Sequence, residues 1–369
     1  MSRASEPLDL RRVAVYPLAQ RQSLSRIETI LVEPDSVPAQ ISKELAQSIR
    51  DCAQEIRDAR DADASAMLIY GAHLIKNGGA KILIELMEQG WLSHLATNGA
   101  GIIHDWELSF LGRTEESVQK NVATGTFGTW HETGSNLHLA LLAGALEGDG
   151  FGCSVGRFIA ENGTTLPTIA QLEGAIKAEP SHPLTSARAE LLHAMLAHHL
   201  APGRHEVKHP WKNFSVVAQA FEKNVPLTVH PGIGYDIISN HPMFNGAAIG
   251  RAAETDFKIF GGAVEKLDVG VVLSVGSAIM GPQVFEKSIS CVNNLRLQAG
   301  QPIVSGHQIC VVDLQDGGGW DWSKGEPPKN NPAYYLRFCK SFSRMGGAMN
   351  YLQCDNIAFI HHLLHELNQ

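Results

Sequence analysis

The chain reads as an α/β protein, a single large domain with a mostly parallel sheet flanked by helices. Three observations lead there. Six short apolar runs recur along the 369 residues, at 66–71, 92–97, 226–231, 270–276, 308–314 and 349–355. Helically patterned stretches separate them. Small residues with polar tips follow every run. Strands buried on both faces lose polar alternation, as GVVLSVG does, and helices of about 10–15 residues between such runs mark βαβ units around a parallel sheet.

In chain order, residues 27–32 (IETILV) are expected as a strand. Residues 40–60, rich in Glu, Arg and Asp, are expected as an exposed helix. Together 1–64 read as an N-terminal extension and 65–369 as the α/β domain. Helices are expected at 78–89, 104–111, 135–147, 185–200, 246–260, 282–295, 333–344 and 356–367. Residues 148–183, rich in Gly, Thr and Pro, read as an excursion or flap. The stretch QDGGGWDWSKGEPPKNNP (315–332) has no apolar period, and its two tryptophans predict an ordered loop packed over something.

A net charge of -8 leaves no electrostatic footprint for nucleic acid. No run approaches the roughly 18–20 apolar residues of a membrane helix, and the first residues lack a signal-peptide pattern. Six cysteines without a C-x-x-C pair point to a reducing cytoplasm and away from a zinc site or redox dithiol. Cys310, Cys339 and Cys354 lie in apolar segments and are expected as buried thiols. The expected partner is a small-molecule substrate, with no nucleic acid, no membrane and no resident metal.

In open parallel sheets, ligands gather at the carboxyl ends of the strands, where helix N-termini supply N–H groups and a positive dipole. The residues there are Gly71, Ala72 and His73; Asn98, Gly99, Ala100, Gly101, His104 and Asp105; His230, Asp236 and His241; Gly276 and Ser277; Asp313; and Asp355. NGAG before a helix is either a tight turn or a place where a phosphate meets bare backbone. It is not G-x-G-x-x-G, and no Walker A motif is present. His104, with a side chain that titrates near neutrality, suits acid/base work; so does His230. Asp105 and Asp236 read either as site acids or as caps, and Glu132 as a first-turn acid. His361 and His365 share a helix face at metal-ligand spacing, but with no well-placed third ligand they read as surface or helix-end residues.

At these strand ends the chain resembles the deoxyhypusine synthase family over roughly residues 65–369. The likeness runs through Gly71-Ala72-His73-Leu74, Thr97 to Asp105, Pro226 to Asp236, Val275 to Ile279, and Leu352 to Asn356. GAHLIK (71–76), NGAGIIHD (98–105) and HPMFNGAA (241–248) also resemble a bacterial branch of such proteins. That family uses NAD to oxidise spermidine and transfers an aminobutyl group to a lysine of a translation factor. The resemblance implies an NAD-binding fold of that type and a homo-oligomer, tetramer or dimer. It puts the cofactor against His73, Asn98, Gly99, Ala100, Gly101, Asp105, Gly276, Ser277 and Asp355. Catalysis would fall to His104, His230, Asp236 and Lys340, the last in the place of the family's nucleophilic lysine. The family's paired glutamates fall on Ile103 and His104, so the implied chemistry is NAD-linked on a small molecule other than spermidine. Two other readings remain open. One is a divalent-metal hydrolase or lyase built on His104, Asp105, His230, Asp236 and His241; the other is a non-catalytic nucleotide-binding descendant.

Overall fold

A computed structural model describes residues 6–369. Six strands form one sheet: β1 (Ala66–Tyr70), β2 (His94–Asn98), β3 (Leu227–His230), β4 (Val271–Val275), β5 (Gln308–Asp313) and β6 (Ala348–Gln353). Every neighbouring pair is parallel, and the order across the sheet is β6-β5-β4-β1-β2-β3. All six apolar runs thus become strands. The winding direction reverses between β1 and β4, and it is outside the carboxyl ends at such a reversal that open α/β sheets receive ligands.

Period-two alternation divides β1 between two cores. Leu68 and Tyr70 join the apolar cluster on one face, and Met67 and Ile69 the cluster on the other. On the first face lie α1 (Lys43–Asp61), α2 (Gly99–Leu111), α3 (His131–Gly144) and α4 (Phe151–Ala160). On the second lies α6 (Met280–Gln298); α5 (Gly246–Glu265) gives Ala248, Ile249 and Ala252 to the first cluster and Phe260 and Val264 to the second, and the chain closes on the first face with α7 (Asn356–Leu367). Among the described residues, no helix is long and apolar enough to cross a membrane.

Four expectations are corrected. Residues 27–32 are not a strand: Ser25–Arg26 pairs with Arg113–Thr114, and Ile27–Ile30 is a helical turn. The Val32 N–H bonds the Gly78 carbonyl rather than a strand. The 40–60 helix is not exposed all round, because Ile49, Cys52, Ala53, Ile56 and Ala59 are buried, and α1 packs on α7. The 148–183 stretch is not a flap. It holds α4, a strand Gly163–Leu166 paired with Gly203–Glu206, and a helix Ile169–Ala178 started by a Thr168/Gln171 capping box. Gly152 and Gly156 serve close packing inside α4: a Cβ on Gly152 would lie 1.8 Å from the Leu227 carbonyl oxygen. Finally, 333–344 breaks at Leu336 into Pro332–Tyr335 and Arg337–Phe342. Within 315–332, Trp322 opens a 3-10 turn, Trp322–Lys324, and is buried in the second core.

Candidate functional site

The strand ends build two adjoining features. The first is the crevice at the reversal point. Gly71 follows β1, and its N–H bonds the Val275 carbonyl. A Cβ on Gly71 would meet the Gly276 carbonyl oxygen at 2.1 Å. Gly276 has φ +60, a left-handed conformation that favours glycine, and a Cβ there would lie 2.3 Å from Asn356 Nδ2. Ser277 Oγ accepts the Gly281 N–H at 3.1 Å. Asp355 caps α7 by accepting from the N–H groups of Ile357 and Ala358. Asn356 Oδ1 is buried without a hydrogen-bond partner. His73 is exposed on the short helix Ala72–Lys76, which follows β1. Gly71, Gly276 and Asn356 thus pack together at the reversal point, with Ser277 and Asp355 as their neighbours along the chain.

The second feature is a cavity of about 310 Å³ over the ends of β2 and β3, walled in part by Ala100, His104 and Asp236. Asn98 caps α2, its side-chain oxygen accepting from the Gly101 N–H at 2.8 Å. Gly101 lies against Thr97, where a Cβ would be 2.1 Å from Oγ1. Gly99 faces the Asp236 carboxylate, with its Cβ position 1.9 Å from Oδ2. An anion approaching Gly99 thus meets Asp236 first, which corrects the expectation of open backbone there. Asp236 accepts from the Gly232 N–H at 2.8 Å, and burial pushes its pKa up to about 6.

His104 has a defined tautomer. Thr114 Oγ1 donates its one proton to Glu107 Oε2 at 2.6 Å. The His104 Nδ1···Thr114 Oγ1 contact of 2.7 Å must then carry an Nδ1 proton, which leaves Nε2 as the basic nitrogen. Burial lowers the pKa of His104, so the ring is neutral and ready to accept. Glu107 also binds Arg21 in a bidentate pair at 2.7 and 2.8 Å, both side chains 1% exposed. Burial works to raise Glu107, and the Arg21 guanidinium, His104 and the Thr114 hydroxyl together outweigh it and hold the carboxyl low. Lys76 pairs with Glu115 at 2.7 Å on the same wall. Sequence reasoning missed Arg21, Lys76, Glu107 and Glu115. Glu107 did carry a signal, as an acid inside the apolar run GIIHDWELSF, where a charge is buried only if paired. Arg21 carried none.

Other expected residues go elsewhere. Asp105 is fully buried and turned away from the cleft. Its carboxylate accepts from the Val216 N–H at 2.8 Å and from the Ser215 hydroxyl, so it holds the start of helix Val216–Glu222 rather than a cofactor. Burial raises it to about 6. His230 packs edge-on against Phe260, 5.3 Å between ring centroids, and lies 3.2 Å from the Thr228 hydroxyl; burial lowers it to about 4. It is absent from the cavity wall. Lys340 pairs with Glu326, lies 3.8 Å over the Tyr334 ring and is absent from the cavity wall. Among the described residues no three His, Cys, Asp or Glu side chains are arranged to hold a metal ion, and the set His104, Asp105, His230, Asp236 and His241 does not converge. His361 and His365 both contact the Pro34 carbonyl and tie down the N-terminal segment.

No protein-family model matches the chain, and neither does any curated protein sequence. Solved structures do. Unliganded AgrE matches at 14% identity and TM-score 0.44, over 90% of this chain and 34% of that one. The ternary complex of AgrE with ornithine and NAD+ matches at 14% identity and TM-score 0.42, with the same coverage. A conserved LOR/SDH protein from Methanococcus maripaludis S2 matches at 15% identity and TM-score 0.42, over 91% of this chain and 74% of that one. The chain spans about a third of the length of the AgrE structures. TM-scores below 0.5 carry no functional assignment.

Proposed function

We propose that the chain binds NAD across the β1/β4 crevice and acts on a small molecule held in the adjoining cavity. The carrying observation is the strand order, 3-2-1-4-5-6 when the strands are numbered along the chain, with side-chain-free backbone at its reversal point. Doubly wound sheets of that order receive dinucleotides there. Gly71 and Gly276 let the ends of β1 and β4 close on each other and on Asn356, whose unpartnered Oδ1 offers the group an acceptor for a ribose hydroxyl or carboxamide.

When bound, NAD supplies a hydride acceptor. His104 Nε2 takes the proton from the substrate group being oxidised, and Thr114 and Glu107 hold the ring in that tautomer. Asp236, at the α2 N-terminus, exchanges protons near pH 6 and orients the substrate. The N-terminal segment acts as a seal, since its Arg21 locks Glu107 beneath the cavity. We keep kinship with deoxyhypusine synthase, a substrate other than spermidine, a homo-oligomer and a cytoplasmic setting within this proposal. The support for a different substrate is His104 in place of an acid and Lys340 engaged with Glu326.

Calorimetry with NAD and with NADH at millimolar concentration tests the reading. One site per chain is expected, weakened at least about tenfold by Gly276→Ala and unchanged by His104→Gln. His104→Gln should instead abolish NADH formation with any substrate found by screening. No heat and no thermal shift with either nucleotide overturns the proposal.

A further inference from the structure

A few residues beyond Asp236 the chain turns, and His241 enters the wall of a second cavity, of about 440 Å³. His131, His198 and His205 share that wall with Ser135 and Asn136, and no Asp, Glu, Lys or Arg lines it. His241 is 2% exposed, and its ring lies flat on α3 where Gly134 leaves room; a Cβ there would be 2.4 Å from the ring. His241 Nδ1 accepts the Met243 N–H at 3.0 Å, so the ring proton sits on Nε2. That Nε2–H is buried and has no partner. An unmet buried donor costs about 1–3 kcal/mol, which favours a ligand that brings an acceptor.

The tautomer also decides the ligand's chemistry. A metal needs a bare ring nitrogen, and both nitrogens of His241 are committed, one to an N–H and one to its own proton. His131 lies 5.9 Å from His241 between ring centroids, and His138 stacks 6.4 Å away. His138 Nδ1 donates to the Gly134 carbonyl at 2.8 Å. His205 Nε2 is held by the Ala201 carbonyl. The titratable groups facing His241 are therefore His131 and His138 from α3 and His198 from the segment after helix Thr185–Ala197. The α3 acid, Glu132, spends an oxygen on the Leu18 N–H. With only imidazoles around it, His241 is kept neutral by burial and then by its neighbours. An anion reverses the second effect, so binding and proton uptake reinforce each other.

We propose that this cavity binds a small oxyanion, a carboxylate or phosphate group, with His241 Nε2–H as its central donor and the amide of Asn136 beside it. Imidazole-detected NMR on the full chain tests this, with inorganic phosphate and acetate titrated separately at pH 6 and pH 8. Saturable shifts of the His241 and His131 rings are expected with at least one anion, at an affinity about tenfold higher at pH 6. The arm that saturates at lower concentration identifies phosphate or carboxylate. His241→Leu should remove the binding. Because that buried change can disturb the fold, His131→Ala, at an exposed rim position, is the second variant and should weaken binding about three- to tenfold at pH 6. Shifts that never saturate, equal affinity at both pH values, indifference to His131→Ala, or stoichiometric zinc moving the same rings while both anions fail would each overturn the proposal.

Discussion

The two cavities reached by residues 231–243 are built on opposite electrostatic plans. Over β2 and β3, two ion pairs, Arg21 with Glu107 and Lys76 with Glu115, share the wall with the acids Glu116 and Asp236 and with a neutral His104. Around His241 there is no fixed charge, only imidazoles. The first arrangement is preorganised: the cost of burying its ions is offset when the chain folds, and their field is aimed before a ligand arrives. The second gains charge only with its ligand. One chain segment thus serves a site whose polarity is set by folding and another whose polarity is set by occupancy.

The strongest way to break the contrast is Glu107→Ala, which leaves Arg21 buried and unpaired. Urea unfolding should show a loss of about 3–5 kcal/mol. Asp105→Ala comes next, at about 2–4 kcal/mol, because it strands the Val216 N–H and the Ser215 hydroxyl. That loss should appear with dinucleotide affinity unchanged, separating Asp105 from its sequence neighbour His104. Asp236→Asn should act in the opposite sense. The folded pKa of about 6 lies above the ~3.9 of an unfolded aspartate, so the native state holds the proton more tightly. Its stabilising contribution is fully present below about pH 4 and is lost as pH rises through 6. Asparagine has no proton to lose, so the variant should gain about 1–3 kcal/mol at pH 7, with a flatter stability profile between pH 4 and 6. Lys76→Ala should be the mildest, at most about 1 kcal/mol, because that pair is partly solvated. Equal costs for Glu107→Ala and Lys76→Ala would end the distinction between a folded-in and a solvent-screened pair.

The sheet was legible because parallel strands buried on both faces are written as unbroken apolar runs, and each of the six runs becomes a strand. Glycine was the misleading letter. In Gly71 and Gly276 it marks a strand-end turn, as expected, whereas in Gly152 and Gly156 it lets α4 lie against the backbone of β3 and of helix Val216–Glu222. Composition cannot tell these uses apart. The site was half legible. His104 and Asp236 announce themselves as polar tips after strands, and the structure brings both to one cavity. Asp105 looks the same in sequence, but one residue along a helix turns a side chain by about 100°, enough to point it into the protein. Arg21 was invisible because its partner stands 86 residues away and nothing local records the pairing.

The reversal at β1 also bears on how the molecule comes together. Tyr70 is hydrogen-bonded across the sheet to the strand bearing Thr97 on one side and to the strand bearing Val275 on the other. The first partner arrives after one short helical excursion; the second must return past α2, α3, α4 and α5. Contacts of such different span form at different times, the long-range one late. The contact of Gly71 with Gly276 does not exist until that late closure. A ligand seated there has nothing to grip in a half-assembled chain, so it should slow unfolding while leaving the rate of refolding untouched.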